Sequence, residues 1–200
     1  MSNVRPHRQM ESSFQDLPIR TSRLVLRVPE LSDAEALFSI FSDPEVMRYW
    51  STQPWQHVQE ATARIERDRA ALLNGSAVRL LLQPVNGGSI LGAVTLLGFV
   101  ASSRRAEVGY LLSRQAWGKG LVHEALCGLL TYGFNKLSLR RVEADVEPRN
   151  ERSVKVLERL GFVREGFLRE RWLIGDAVSD TALYGLLARE WSAASLGARR

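Results

Sequence analysis

Three short stretches carry residue types that could do chemistry together: Glu107-Val-Gly-Tyr-Leu-Leu, Trp117-Gly-Lys-Gly-Leu-Val and Glu147-Pro-Arg-Asn-Glu-Arg-Ser. The middle one is a Gly-rich turn feeding a helical pattern. Such a turn offers unpaired backbone N–H groups, and the helix dipole adds partial positive charge, so the pair forms an anion site suited to phosphate. Glu107 lies one strand earlier. A carboxylate there can take a proton beside whatever the phosphate anchors. Together these point to a transferase that uses a pyrophosphate-bearing co-substrate.

The elements that must position these residues follow from periodicity. Thr21 to Val28 alternates apolar and polar and reads as a strand. Ser32 or Asp33 can cap a helix bearing Ala36, Leu37, Ile40 and Phe41, and Asp43-Pro44 is expected to stop it. A polar amphipathic helix follows from about His57 to Leu73 and closes at Asn74-Gly75. Val78–Leu82 and Ser89–Val100 form a hairpin around Asn86-Gly87-Gly88. Arg105–Ser113 is the strand before the Gly turn.

Gly118 and Gly120 open a helix with Val122, Ala125, Leu126, Leu129, Gly133 and Leu137 at spacings of three and four. Arg141–Glu147 is a strand with Val142, Ala144 and Val146 inward. Asn150 or Glu151 starts another helix, capped by Gly161, and two strands near Phe162–Leu173 and Ser179–Leu187 complete the order. The pattern β-α-α-β-β-β-α-β-α-β-β predicts an α/β fold with a mixed sheet of about seven strands flanked by helices. One domain over 19–188 is expected, with a flexible leader over 1–18 and a tail over 189–200.

Composition narrows the class. The chain has 200 residues, 45% hydrophobic and 24% charged, with net charge +5 and pI near 9.9. Of its 27 basic residues, 24 are Arg, and they are scattered rather than clustered, so direct nucleic-acid binding is not expected. Cys127 is the lone cysteine, which excludes an internal disulfide and a Cys-based zinc cluster; its apolar helical setting reads as core. His7, His57 and His123 lack metal spacing, so no metal is expected. The charge-free run Leu80–Ser103 is broken by Pro84 and Asn86-Gly87-Gly88 and is not read as a membrane span. Met1–Ser13 has no apolar signal region, so a cytoplasmic protein is expected.

At Trp117-Gly118-Lys119-Gly120-Leu121-Val122 the chain resembles the acetyl-CoA loop of the GNAT superfamily of N-acetyltransferases, whose pattern is Arg/Gln-x-x-Gly-x-Gly/Ala. Trp commonly takes the first place in the subgroup similar to RimJ and RimL, the ribosomal-protein N-terminal acetyltransferases. Glu107-Val-Gly-Tyr, Glu147-Pro-Arg-Asn-Glu-Arg-Ser, Leu160-Gly-Phe and Thr21-Ser-Arg-Leu-Val-Leu-Arg strengthen the resemblance, which covers about residues 19–188. Val122 departs from it, standing where the family prefers Gly or Ala. A frame beginning at Gln115 fits the pattern literally, but the Trp117 frame agrees better with the strand and helix.

The resemblance implies a GNAT-like sheet with a splayed strand pair and an acetyl-CoA co-substrate. Backbone N–H groups of Gly118 to Val122 would hold the pyrophosphate, with Lys119 assisting. Backbone of Tyr110, Leu111 and Leu112 would pair with pantetheine and supply the oxyanion donor. Glu107 would act as base, against a structural reading in which it pairs with Arg104, Arg105 or Arg141. Asn150 would bind co-substrate and Ser153 would donate a proton to the leaving sulfur, although both also suit a helix start. Tyr110, Tyr132 and Tyr184 are rival acids. Trp50, Trp55 and Trp172 with the helix over 57–73 would line the acceptor groove.

The implied acceptor is a protein N-terminal amine of ribosomal type. The alternatives are a small-molecule amine such as a polyamine, amino acid or antibiotic, and a non-catalytic acyl-CoA-binding module. No membrane partner is implied, and a homodimer is compatible with the sequence without being fixed by it.

Overall fold

The structure is a computed structural model and describes residues 14–191. Its elements, in chain order, are β1 (Ile19–Arg20), β2 (Leu24–Arg27), α1 (Ala34–Phe41), α2 (Pro44–Met47), α3 (Val58–Asn74), β3 (Val78–Pro84), β4 (Gly92–Val100), β5 (Arg105–Leu112), α4 (Leu121–Asn135), β6 (Arg141–Val146), α5 (Glu151–Arg159), β7 (Val163–Ile174) and β8 (Ala177–Leu187). The expected order holds. The sheet has eight strands rather than about seven, because the two-residue β1 pairs with β2. Pro44 starts a helix instead of only ending one. Proline suits the first helical position, and the Asp43 carboxylate caps it by accepting from Glu45 N at 2.9 Å.

Strand order is β1-β2-β3-β4-β5-β6-β8-β7. Only β5 and β6 run parallel. Both faces of the sheet are covered. On one, α4 and α5 bury Leu126, Leu129, Leu130 and Leu157 against Val108, Val142, Ala144 and Leu186. On the other, Leu37, Ile40, Phe41 and Ile65 of α1 and α3 pack on Leu81, Ala93 and Leu111. The alternation of β5 and β6 therefore sends Val108, Val142 and Ala144 toward α4, and places Glu107, Glu143 and Asp145 on the α1–α3 face.

The α1–α3 layer is anchored by charge as well. Arg79 of β3 and Asp68 of α3 are both buried, with Nε and Oδ2 2.9 Å apart. Arg64 reaches the other Asp68 oxygen at 2.9 Å.

Residues on either side of the expected 19–188 span make tertiary contacts. Residues 14–18, assigned on composition to the leader, are docked: Phe14 packs on Phe99 with centroids 5.6 Å apart, the Gln15 carbonyl accepts from Tyr132 Oη at 2.8 Å, and Asp16 pairs with Lys136 at 2.8 Å. At the other end, Trp191 sits 5.9 Å from Phe134. Residues 1–13 and 192–200, the rest of the expected leader and tail, lie outside the described residues. Among the described residues no helix is long and apolar enough to cross a membrane.

Candidate active site

The site is built where the sheet opens. The register between β5 and β6 runs Arg105 to Arg141, Ala106 to Val142 and Glu107 to Glu143, and then stops. β5 continues to Leu112 and β6 to Val146 without pairing to each other. The β6-facing backbone of Val108–Leu112 thus lines a wedge-shaped opening, with Tyr110, Leu111 and Leu112 along one side. Backbone groups on such an edge need partners, which an extended ligand can supply.

The Gly turn sits at the wide end. Gly118 has φ +74° and Gly120 φ +71°, a left-handed conformation that glycine adopts without Cβ strain. A Cβ on Gly118 would meet nothing within 4 Å, so space is left open in front of the turn. Gly120 is the N-cap of α4 and brings no capping side chain; the first intrahelical bond is Glu124 N to Gly120 O at 3.1 Å. The N–H groups of Leu121, Val122 and His123 have no intrahelical partner, which makes this end receptive to an anion. Val122 is half-buried and packs toward the core below. Lys119 is exposed, and among the described residues its ammonium makes no ion pair.

Trp117 ties this turn to its surroundings. Its indole Nε1 donates to the Leu112 carbonyl at 2.9 Å, and the Arg152 guanidinium lies 5.0 Å over its ring. The end of β5, the Gly turn and the first turn of α5 are thereby held together.

Across the opening, Asn150 caps α5, its Oδ1 accepting from Ser153 N at 3.2 Å. Ser153 Oγ lies 2.6 Å from Tyr110 Oη. Burial pushes the Tyr110 hydroxyl up to about 12, with the Ser153 bond opposing, so it stays protonated. Of the rival acids, Tyr110 thus lies against Ser153, while the other two are elsewhere: Tyr132 donates to Gln15, and Tyr184 packs in the core beneath α4 and α5.

Glu107 stands at the narrow end, where pairing stops. Of the three arginines in the structural alternative, Arg105 binds Glu143 at 2.6 Å, Arg141 is shared by Glu143 and Glu165, and Arg104 makes no ion pair with Glu107. Among the described residues no hydrogen bond or ion pair engages the Glu107 carboxylate. Glu107 is exposed at the sheet surface, yet its pKa is raised, first by desolvation from the surrounding protein, then by the Asp145 and Glu143 carboxylates, with Arg171 and Arg105 opposing. Asp145 is itself raised by burial, against hydrogen bonds from Thr181 at 3.0 Å and from Trp172.

Of the three tryptophans expected at an acceptor groove, Trp55 stacks on Phe41 at 4.2 Å in the core and Trp172 serves Asp145. Trp50 does line a cavity of about 300 Å³, with Arg48, Tyr49, Arg149, Ile174 and Val178 among its neighbours. A larger hollow of about 640 Å³, between α1 and residues 113–115, contains none of the expected site residues.

Cys127 is half-buried, its thiol pushed up to about 11 mainly by burial, so it is a poor nucleophile at neutral pH. Among the described residues no cluster of three or more His, Cys, Asp or Glu could hold a metal ion. Two features escaped sequence reading. The Arg152–Trp117 contact gives no local signal. Glu124 is held by Thr21, Ser22 and Arg23, which the alternation places at the start of a strand and which form the turn before β2.

An open-edged strand, an uncapped helix N-terminus and an unpaired carboxylate thus meet around one opening. In comparison with known proteins, residues 23–163 match the acetyltransferase (GNAT) domain, and the chain belongs to this family of N-acetyltransferases. The chain is 38% identical over 172 residues to the uncharacterized N-acetyltransferase p20 of Bacillus licheniformis, covering 86% of this chain and 97% of that relative. It is 28% identical over 190 residues to the ribosomal protein uS5-alanine N-acetyltransferase of Escherichia coli, covering 90% and 96%. Among solved structures, the spermidine N-acetyltransferase of Vibrio cholerae in complex with CoA and spermine superposes with a TM-score of 0.76 at 24% identity, covering 84% of this chain and 98% of that one, which shows the shared fold.

Proposed function

We propose that this chain moves the acetyl group of acetyl-CoA to the α-amine of a protein N-terminus, by direct transfer within a ternary complex. The observation that carries the reading is the unpaired, upward-shifted Glu107 carboxylate at the narrow end of an opening whose wide end is the uncapped start of α4. The open space before Gly118 and the free N–H groups of Leu121 to His123 suit a pyrophosphate. The β5 edge over Tyr110, Leu111 and Leu112 suits pantetheine, whose amides need backbone partners.

Glu107, directly or through one water, takes the proton the acceptor ammonium must lose. The amine nitrogen then attacks the thioester carbon, a backbone N–H of β5 stabilises the oxyanion, and the C–S bond breaks. Ser153 donates to the departing sulfur. The weakly acidic Cys127 argues against an acyl-enzyme.

For the acceptor, the 300 Å³ cavity favours a peptide end over a polycation. Arg48 and Arg149 line it, and the one carboxylate there, Glu147, is engaged by Arg149 at 2.6 Å. Such a lining offers no free carboxylate to hold a second ammonium, and the N-terminus of a peptide needs none. The name of the Escherichia coli relative points the same way. The test is thiol release from acetyl-CoA with N-terminal peptides and with polyamines, wild type against Glu107→Ala. Turnover on peptides that the substitution abolishes supports the reading. Turnover on polyamines alone overturns the acceptor, and CoA binding without turnover on either overturns catalysis.

A further inference from the structure

The turn before β2 is wrapped around the first turn of α4, about a hundred residues away in the chain. Glu124 Oε1 accepts from Thr21 Oγ1 at 2.6 Å, Ser22 Oγ at 3.0 Å and Arg23 N at 2.7 Å, while Oε2 accepts from Arg23 Nε at 2.6 Å. Burial disfavours this carboxylate, but the four bonds outweigh it and hold its pKa below the usual range, so Glu124 is a fixed negative charge at neutral pH.

Arg23 does not stop there. Its NH1 donates to the Lys119 carbonyl at 2.9 Å, and its NH2 is the nearest atom to the position a Cβ on Gly120 would take, at 3.7 Å. In a planar trans peptide the carbonyl and the following N–H point in opposite directions. A Lys119 carbonyl held by Arg23 therefore turns the Gly120 N–H to the opposite side. This peptide ends on Gly120, whose left-handed φ of +71° no Cβ restrains. Nothing within the turn itself fixes it.

We propose that Arg23, held in place by Glu124, is a positioning residue that locks the Lys119–Gly120 peptide in the orientation that presents the turn's N–H groups to the pyrophosphate of the acetyl donor. The inference rests on the reading of this turn as the phosphate cradle.

The test compares acetyl-CoA with acetyl-pantetheine, which carries the same thioester and no phosphate. Arg23→Ala is expected to raise KM for acetyl-CoA about tenfold, the loss of one charge-assisted hydrogen bond, with kcat at saturation nearly unchanged. kcat/KM for acetyl-pantetheine is expected to stay at the wild-type value. Glu124→Gln, which frees Arg23, is expected to shift KM in the same direction by less, and Arg23→Lys to recover part of the loss. Equal losses on both donors, or a fall in kcat with KM unchanged, overturn the proposal and leave Arg23 a purely structural residue. Unchanged KM for acetyl-CoA in Arg23→Ala overturns it as well. If the wild type itself does not prefer acetyl-CoA to acetyl-pantetheine, the phosphate reading of the turn fails and the proposal falls with it. Melting temperatures of all three variants separate a folding defect from these outcomes, and Glu124→Gln and Arg23→Lys keep the test open if Arg23→Ala folds poorly.

Discussion

Tyr110 Oη and Ser153 Oγ lie 2.6 Å apart and bridge the opening between β5 and α5. Tyr110 remains protonated, its hydroxyl pushed up to about 12 by burial. When it donates to Ser153, the serine proton is free to point into the opening, and the shared bond strengthens its donation. Ser153→Ala is expected to lower kcat about 10²-fold, in the range of a lost general acid. Tyr110→Phe is expected to lower it by about tenfold, the worth of one hydrogen bond to the donor. Because the two act as a unit, the double variant should be no slower than Ser153→Ala alone. Steady-state rates of the three variants at saturating acetyl-CoA check this; additive losses would show that the hydroxyls act independently.

Glu107 has a raised pKa and no ion-pair partner among the described residues, which gives its substitution opposite signs in activity and stability. Activity should fall as pH drops through this pKa, with the acid limb of kcat/KM above the roughly 4.3 of an unperturbed Glu. Glu107→Gln should cost at least about 10²-fold in kcat/KM at pH 7 and remove that limb. A carboxyl raised in the folded state adds stability at low pH that is lost as pH rises from the unfolded toward the folded pKa. Removing its charge should therefore leave the melting temperature at pH 7 equal or slightly higher. A fall in melting temperature with activity kept would return Glu107 to a structural role.

Gly120 tests the cradle from the backbone side. The nearest atom to an added Cβ is Arg23 NH2 at 3.7 Å, so Gly120→Ala meets no steric obstacle and is opposed by its φ of +71°. The strain is about 1–2 kcal/mol. Either the protein carries it, visible as a lowered melting temperature, or the turn relaxes and KM for acetyl-CoA rises. Thermal melts and donor kinetics on the same preparation distinguish the two; no change in either would show that the left-handed turn is not required.

The buried Asp68–Arg79 pair should decide stability rather than rate. Burial lowers the Arg79 pKa to about 10, against the opposing effect of Asp68, so the ion is costly where it sits. Asp68→Ala leaves Arg79 charged and unpaired in the interior, a loss of about 3–5 kcal/mol. Chemical denaturation should show it, while kcat of the folded fraction should hold, since the pair lies on α3 and β3, away from the opening.

Much of this protein follows from local sequence. Alternation and helical spacing give the order of strands and helices, because the two periods express which face of each element is buried. Glycines at 118 and 120 and Asn150 at a helix start are equally local: each answers a backbone demand within one turn. Pro44 shows the limit, since the same residue can end one helix or begin the next, and the Asp43 carboxylate decides.

What the tertiary structure alone decided are the pairings across long stretches of chain. Arg105 and Arg141 could each have neutralised Glu107; strand register gives both to Glu143 and leaves Glu107 unpaired. Three tyrosines could have faced the leaving group; the splay places only Tyr110 against Ser153. Arg23 and Glu124 meet because β2 and the start of α4 lie side by side, and no local period encodes a contact between residues 101 apart. Local conformation depends on near neighbours and is written in the sequence pattern. Which charges meet depends on sheet order and register, which only the folded chain fixes.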